Sequence, residues 1–340
     1  MKKITLFLMG LFFLGTVQMF AQGCMEPASD EGVSVIGFLQ PEFQMHETAD
    51  GWNNSFAFRR ARIGVTGNIP YDFSYYAIVD FSKFMPDAPF LLDAFVSYNR
   101  FSFAKITLGQ YKPPFSQELS TACHKLYTIN RSKVVNELAL PNRDQGLMVW
   151  GSFAKSVINY NVAIMNGYRR GFYDENNNKA IVGRVTVQPW EALRFGGSFR
   201  KGITGSASDN DVTRFAGEVQ VDWKGFIMQA EYIWGEDTGS YTTGGGCDGT
   251  PIEIHEGPIT RSGMYAQLLY MTPWNLQPVV KFETYDGDTT ADNDLETIFT
   301  AGVNYFFNDW TRFQINYSYR AEEANEIPND CLLLQMQVTF

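Results

Sequence analysis

Beyond Phe20 the chain has no long apolar run. A membrane-spanning helix needs roughly 20 consecutive apolar residues, so a helical membrane protein is a poor reading. Histidine is scarce: His46, His124 and His255 are the three, and none has an evident Ser or Asp partner at a recognisable spacing. That leaves no legible hydrolytic triad, and the chain does not read as an enzyme. The four cysteines, Cys24, Cys123, Cys247 and Cys331, are scattered and lack any metal-ligand spacing. No metal and no cofactor are expected. Positive charge is also short: 27 Lys and Arg stand against 37 Asp and Glu, for a net charge of −10. A general basic nucleic-acid binder is excluded on that balance. Low-complexity tracts and linkers are missing too, the nearest thing being Thr242–Gly246.

What is present begins with a leader. Lys2 and Lys3 precede an apolar stretch from Ile4 to Val17, followed by Gln18-Met19-Phe20-Ala21-Gln22. This predicts a secretory signal peptide over residues 1–21, cleaved after Ala21, and a single mature domain over 22–340. Loss of Lys2 and Lys3 makes the mature chain more negative by two. Gly23-Cys24 offers a lipidation alternative, but Ala21-Gln22 makes a poor lipobox. The exported compartment permits disulfides, with no pairing assigned. Aromatics are 15% of the residues, while mean hydropathy is slightly negative. A secreted, aromatic-rich chain without apolar 20-mers fits a transmembrane β-barrel.

Alternation carries that reading. In the last segment Leu334, Met336, Val338 and Phe340 share one face, and Gln335, Gln337 and Thr339 the other. Residues 310–320 repeat the pattern: Phe313, Ile315, Tyr317 and Tyr319 alternate with Arg312, Gln314, Asn316, Ser318 and Arg320. In a barrel the apolar side meets lipid and the polar side the lumen. Strand-like spans fall at 33–45, 55–68, 71–84, 90–99, 102–112, 143–153, 157–167, 179–189, 193–203, 211–223, 226–235, 260–272, 276–285, 294–307, 310–320 and 332–340. That is an all-β chain of about 16 antiparallel strands, an even number as bacterial barrels require. Every other connection is very short, such as Arg100-Phe101, Lys224-Gly225 and Asn308-Asp309. The alternate ones are mostly long: 46–54, 113–142, 168–178, 204–210, 236–259, 286–293 and 321–331, with only 85–89 short. Trp190, Trp223, Trp274 and Trp310 lie at or beside short turns, as aromatics do at a membrane boundary.

Parity assigns lumen charges. Arg60, Arg62, Lys105, Arg184, Arg194, Arg200, Arg214, Lys281, Arg312 and Arg320 fall on polar faces, as do Glu42, Asp72, Asp80, Asp93, Glu218, Asp222, Glu231 and Glu283. Arg59 falls on the lipid side, which suits the outer rim or another subunit. Rows of guanidinium groups lower the barrier for anions and offer phosphate paired N–H donors. Charges lining any wet lumen, often paired, are the plainer account. Asp286, Asp288, Asp292 and Asp294 crowd one long connection, and Glu322, Glu323, Glu326 and Asp330 another. They lack the EF-hand pattern, read as solvated acidic loops, and disfavour anions at the mouth.

Two blocks, Phe58-Arg59-Arg60-Ala61-Arg62-Ile63-Gly64-Val65-Thr66-Gly67 with Tyr71-Asp72-Phe73-Ser74-Tyr75, and Gly109-Gln110-Tyr111-Lys112-Pro113-Pro114-Phe115-Ser116, resemble the phosphate-selective porin O and P family. So does Asn142-Arg143-Asp144-Gln145-Gly146-Leu147, with weaker echoes at Asn166-Gly167 and Asn304-Tyr305-Phe306. The resemblance implies an outer-membrane homotrimer of sixteen-stranded barrels, each with its own pore narrowed by an inward-folded third extracellular loop. Here that loop is 113–142, with Lys125, Arg131 and Lys133 against Glu118 and Glu137. The expected filter sets Arg60 and Arg62 against Arg131 and Lys133, with Arg184, Arg194, Arg200 and Arg214 as the fallback and Arg312 as a further pore-lining candidate. The expected partners are small hydrophilic solutes, phosphate or other anions among them, and outer-membrane lipid. A general or cation-preferring porin, and a non-conducting structural or adhesin barrel, are the alternatives.

Overall fold

The computed structural model describes residues 32–69, 72–82, 91–167, 177–203, 211–243, 253–323 and 326–340. The leader, Cys24, Cys247 and the 85–89 connection lie outside them.

Sixteen strands run in chain order: β1 Val33–Thr48, β2 Gly51–Ile69, β3 Phe73–Asp80, β4 Leu91–Phe101, β5 Ala104–Tyr111, β6 Asp144–Phe153, β7 Ile158–Met165 and β8 Ala180–Trp190, then β9 Leu193–Ile203, β10 Asp211–Trp223, β11 Phe226–Thr243, β12 Glu253–Tyr270, β13 Leu276–Asp286, β14 Leu295–Asn308, β15 Thr311–Glu322 and β16 Cys331–Thr339. Each pairs antiparallel with its neighbours in sequence, and β1 pairs with β16, so the sheet closes into a barrel with no free edge. Closure matters because unpaired backbone groups have no water to bond in hydrocarbon. At the seam the chain end completes the ladder: Gly37 N–H donates to the Phe340 carbonyl at 2.8 Å, and Phe340 N–H returns the bond to Gly37 at 3.0 Å. A Cβ on Gly37 would lie 2.7 Å from the Phe340 ring, so only glycine lets the terminal aromatic seat there.

The inverted pattern follows the alternation. On β15, Arg312, Gln314, Asn316 and Ser318 are buried, while Tyr317 and Tyr319 are exposed. On β16, Gln335 and Gln337 are buried and Val338 is exposed. Near its start the inward face turns apolar: Cys331 and Leu333 pack on Ile129. The outer surface carries a band of exposed apolar side chains such as Leu108, Ile164 and Phe299. That arrangement is stable only against lipid, since water would charge roughly 25 cal/mol for each Å² of apolar surface left wet. The four expected tryptophans, Trp190, Trp223, Trp274 and Trp310, stand 59–75% exposed at the short-turn end.

Two connections differ from the sequence expectation. Residues 46–54 form no long loop: Thr48 pairs with Gly51, leaving a two-residue turn, because polar Trp52–Ser55 continue the ladder with Gln44–Glu47. Likewise 236–259 is mostly strand, with the β11–β12 ladder running on to Thr243 and Glu253. Backbone pairing extends both hairpins where side-chain alternation fades.

Candidate functional site

The connection between β5 and β6 fills part of the lumen. It starts at Lys112 and the rigid Pro113-Pro114, and it carries two short helices, α1 Gln117–Ser120 and α2 Lys133–Leu138. Its backbone is tied to the polar faces of strands all around the ring. Glu231 on β11 accepts from Ser116 Oγ at 3.0 Å, from Gln117 N at 3.0 Å and from Glu118 N at 3.3 Å. Four strands further round, on β15, Asn316 Oδ1 accepts from Ile129 N at 2.7 Å. Gln337 Nε2 donates to the His124 carbonyl at 3.1 Å, and Asn304 Nδ2 to the Tyr127 carbonyl at 2.9 Å. At the start of α2, Glu118 accepts from Ser132 N at 2.6 Å and Glu283 from Lys133 N at 2.7 Å. Carboxylates therefore meet both helix starts, where bare N–H groups need acceptors. Burial pushes the Glu118 carboxyl up, with Lys281 pulling the other way. Underneath, Phe115, Leu119, Val134, Val135 and Leu138 form an apolar core with Met165, Ile233 and Tyr265 of the wall.

The predicted residues separate by partner. Arg184 is closed onto Glu218 by two bonds of 2.9 and 2.5 Å. Arg214 donates to Asp237 at 2.6 Å, and the same carboxylate takes Arg261. Neither Arg261 nor Asp237 is among the expected lumen charges: Arg261 lies within the expected strand 260–272, and Asp237 stands in an expected loop that is strand. Arg200 donates to the Leu140 carbonyl. Arg194 and Arg312 meet amide oxygens rather than carboxylates, Gln220 at 2.6 Å and Gln337 at 3.0 Å. Lys125 is exposed.

Lys133 does not oppose Arg60 and Arg62. Its ammonium lies 3.5 Å from both Glu137 and Glu296. The reason is local: α2 begins at Lys133 and packs on β11, β12 and β13, away from β2.

Arg59 is the second correction. It points inward, to Glu42 at 3.3 Å and to Asn130 of the loop. Gln40 pairs with Arg60 but Pro41 pairs with Phe58, so Arg59 is the extra residue of a β-bulge. One inserted residue reverses parity, which puts Arg59 and Arg60 on the same side.

The remaining predicted cations do come together. Arg60, Arg62 and Arg131 surround Cys123. Arg62 Nη1 donates to Cys123 Sγ at 3.2 Å and Arg131 Nη2 at 3.4 Å. Asp80 takes Arg62 Nε at 2.8 Å. Arg60 Nη1 donates to Gln40 at 2.8 Å. Arg131 also donates to the Glu118 and Thr121 carbonyls, both at 3.1 Å. Lys112 lies close by, its ammonium donating to the carbonyls of Leu119 at 2.8 Å and Thr121 at 2.7 Å. Burial and Arg131 push that ammonium well down. Neighbouring His124 is held to about 4 by burial and Lys125, so its ring is neutral at physiological pH. Arg60, Arg62 and Arg131 are largely but not fully buried, with 11% of the Arg62 side chain still exposed.

The model of the phosphate-selective porin O and P family matches residues 41–204. Over that span, just under half of its length, the chain is similar to that family. The matched span holds the bulge, the loop and both walls of the Arg60–Arg62–Arg131 cluster. No curated protein matches the chain. Among solved structures the porin barrel is similar in fold to the anion-selective porin from Comamonas acidovorans, at 12% identity and TM-score 0.66 over 91% of this chain and 99% of that one. It is similar to Salmonella typhi OmpF, solved with daunomycin, at 12% identity and TM-score 0.71 over 93% and 100%. The outer membrane channel DcaP of Acinetobacter baumannii gives 13% identity and TM-score 0.63 over 93% and 99%. The protein is an outer-membrane porin.

Proposed function

We propose that this porin is a water-filled diffusion channel, not an enzyme, that favours anions, phosphate among them, at a constriction formed by Arg60, Arg62 and Arg131. One observation carries the reading. Carboxylates meet some lumen guanidiniums, as in Arg184–Glu218 and Arg214–Asp237–Arg261, and Arg194, Arg200 and Arg312 stand singly on amide or backbone oxygens. Here three guanidiniums come together and, among the described residues, only Arg62 of the three bonds a carboxylate, Asp80, while Arg60 Nη2 and Arg131 Nη1 have no protein partner. Such N–H groups offer an anion charge-assisted bonds in place of water, weakly enough that it can leave. The chain reaches the membrane through a leader over 1–21 and assembles as a homotrimer, with 22–340 as one barrel domain.

A charge-indifferent or cation-preferring pore draws support from Asp286, Asp288, Asp292 and Asp294 near one mouth. Screening confines that field to roughly 8–10 Å, so the constriction outweighs it in salt. The reversal potential of the purified porin in a KCl gradient decides between them. Anion preference, with phosphate blocking chloride current and Arg131→Ala weakening the block several-fold, is expected. Cation preference overturns the reading.

A further inference from the structure

Cys123 does not stand alone: two guanidiniums from different parts of the chain, Arg62 of β2 and Arg131 of the loop, aim N–H groups at one sulfur. We propose that Cys123 is a selectivity-setting positioning residue: as the shared counter-anion of Arg62 and Arg131 it holds both in place and fixes how much positive charge the constriction shows to a passing ion. The inference rests on the anion-channel reading of the same constriction.

The geometry supplies the reason. Like charges brought together in a partly buried site repel strongly unless an anion lies between them. Arg60, Arg62 and Arg131 are drawn together around a buried sulfur, and the Asp80 carboxylate is engaged by Arg62. Arg143 is occupied by Asp93, at 3.1 and 3.2 Å, so that pair contributes no net charge. His124 is neutral. The sulfur is therefore the group placed to relieve the repulsion, and it does so only as thiolate, because a neutral thiol is a weak acceptor. The electrostatics agree: burial pushes the thiol up, but Arg131, Arg60, Arg62 and Lys112 together hold it well below the ordinary thiol range. Cys331, buried on β16 against Ile129, has no such guanidinium bonds among the described residues and serves as the contrast.

The test compares wild type, Cys123→Ser and Cys123→Asp as full-length porins in planar bilayers. Serine removes the charge while keeping a small polar group, and aspartate makes it permanent. The Ser variant should raise the anion-to-cation permeability ratio by about twofold or more. The Asp variant should return it to the wild-type value. On acidification the wild type should climb towards the Ser variant as the thiolate takes a proton. Asp80 titrates in every variant, so only the difference between them reports on Cys123. Folded protein should also show more thiolate ultraviolet absorbance at neutral pH than the same chain in urea, a reading available from wild type even where a variant fails to fold. Equal selectivity and equal pH profiles in wild type and Ser variant overturn the inference, as does the absence of excess thiolate in the folded wild type. A wild-type pore that prefers cations sinks the anion reading instead, and the shift on Cys123→Ser still reports separately on the thiol.

Discussion

At the scale of single residues, a carboxylate and a bulge position the constriction. Glu231 gathers three donors from Ser116, Gln117 and Glu118. Glu231→Ala removes them all at once, at on the order of 1–3 kcal/mol for each buried donor left without a partner. The barrel ladder does not involve that side chain. The expected result is a folded barrel with a lowered thermal midpoint and noisier single-channel current; an unchanged trace would show that the loop is held by other contacts. Period-two parity was enough to place Arg60, Arg62, Arg184 and Arg312 on the lumen side. It failed at Arg59, because a bulge is a two-against-one register event between strands and leaves no trace in the alternation of one strand. Pairing was equally illegible: which cations stay uncompensated depends on partners such as Asp237 and Glu296 that lie on other strands or outside the expected ones.

Among elements, the loop over 112–143 behaves as a small folded unit inside the barrel. Its span was visible from Pro113-Pro114 and from the resumption of a strand at Arg143, one residue before the observed start at Asp144, but its inner architecture was not. Val134, Val135 and Leu138 bury one face of a short helix against Phe115 and Leu119 of the loop and against wall residues distant in sequence such as Met165, Ile233 and Tyr265, so no local pattern announces it. Leu138→Ala should cost about 2–5 kcal/mol of local packing while leaving every strand pair intact. Conductance should rise or fluctuate, and protease should cut the loop in barrels that still migrate as folded in the cold. Loss of the folded barrel instead would mean that the loop is needed for closure. Strand count and short turns were legible because each strand repeats the same constraint, one face in lipid. Strand ends were not, as in the extended β11–β12 hairpin, where pairing outlasts the lipid contact that writes the alternation.

For the whole molecule, the two ends of the barrel differ, and the difference predicts its direction in the membrane. One end has tight turns, the meeting of Gly37 with Phe340, and the exposed Trp190, Trp223, Trp274 and Trp310. The other has the longer connections and the acidic groups of 286–294 and 322–330. An exported chain inserts with its termini and tight turns on the periplasmic side and its longer loops outside, as bacterial barrels do. Cysteine substitutions with the native cysteines replaced make this measurable. Ala291→Cys should react on intact cells with a maleimide on a long polymer. Asp309→Cys, in the tight turn between β14 and β15, should react only after the outer membrane is opened. The reagent must be bulky, because a small one could pass the lumen beside the 112–143 loop and label both. Reaction at Asp309→Cys alone on intact cells would reverse the barrel. It would also put the acidic connections in the periplasm and remove their field from the mouth that solutes meet first.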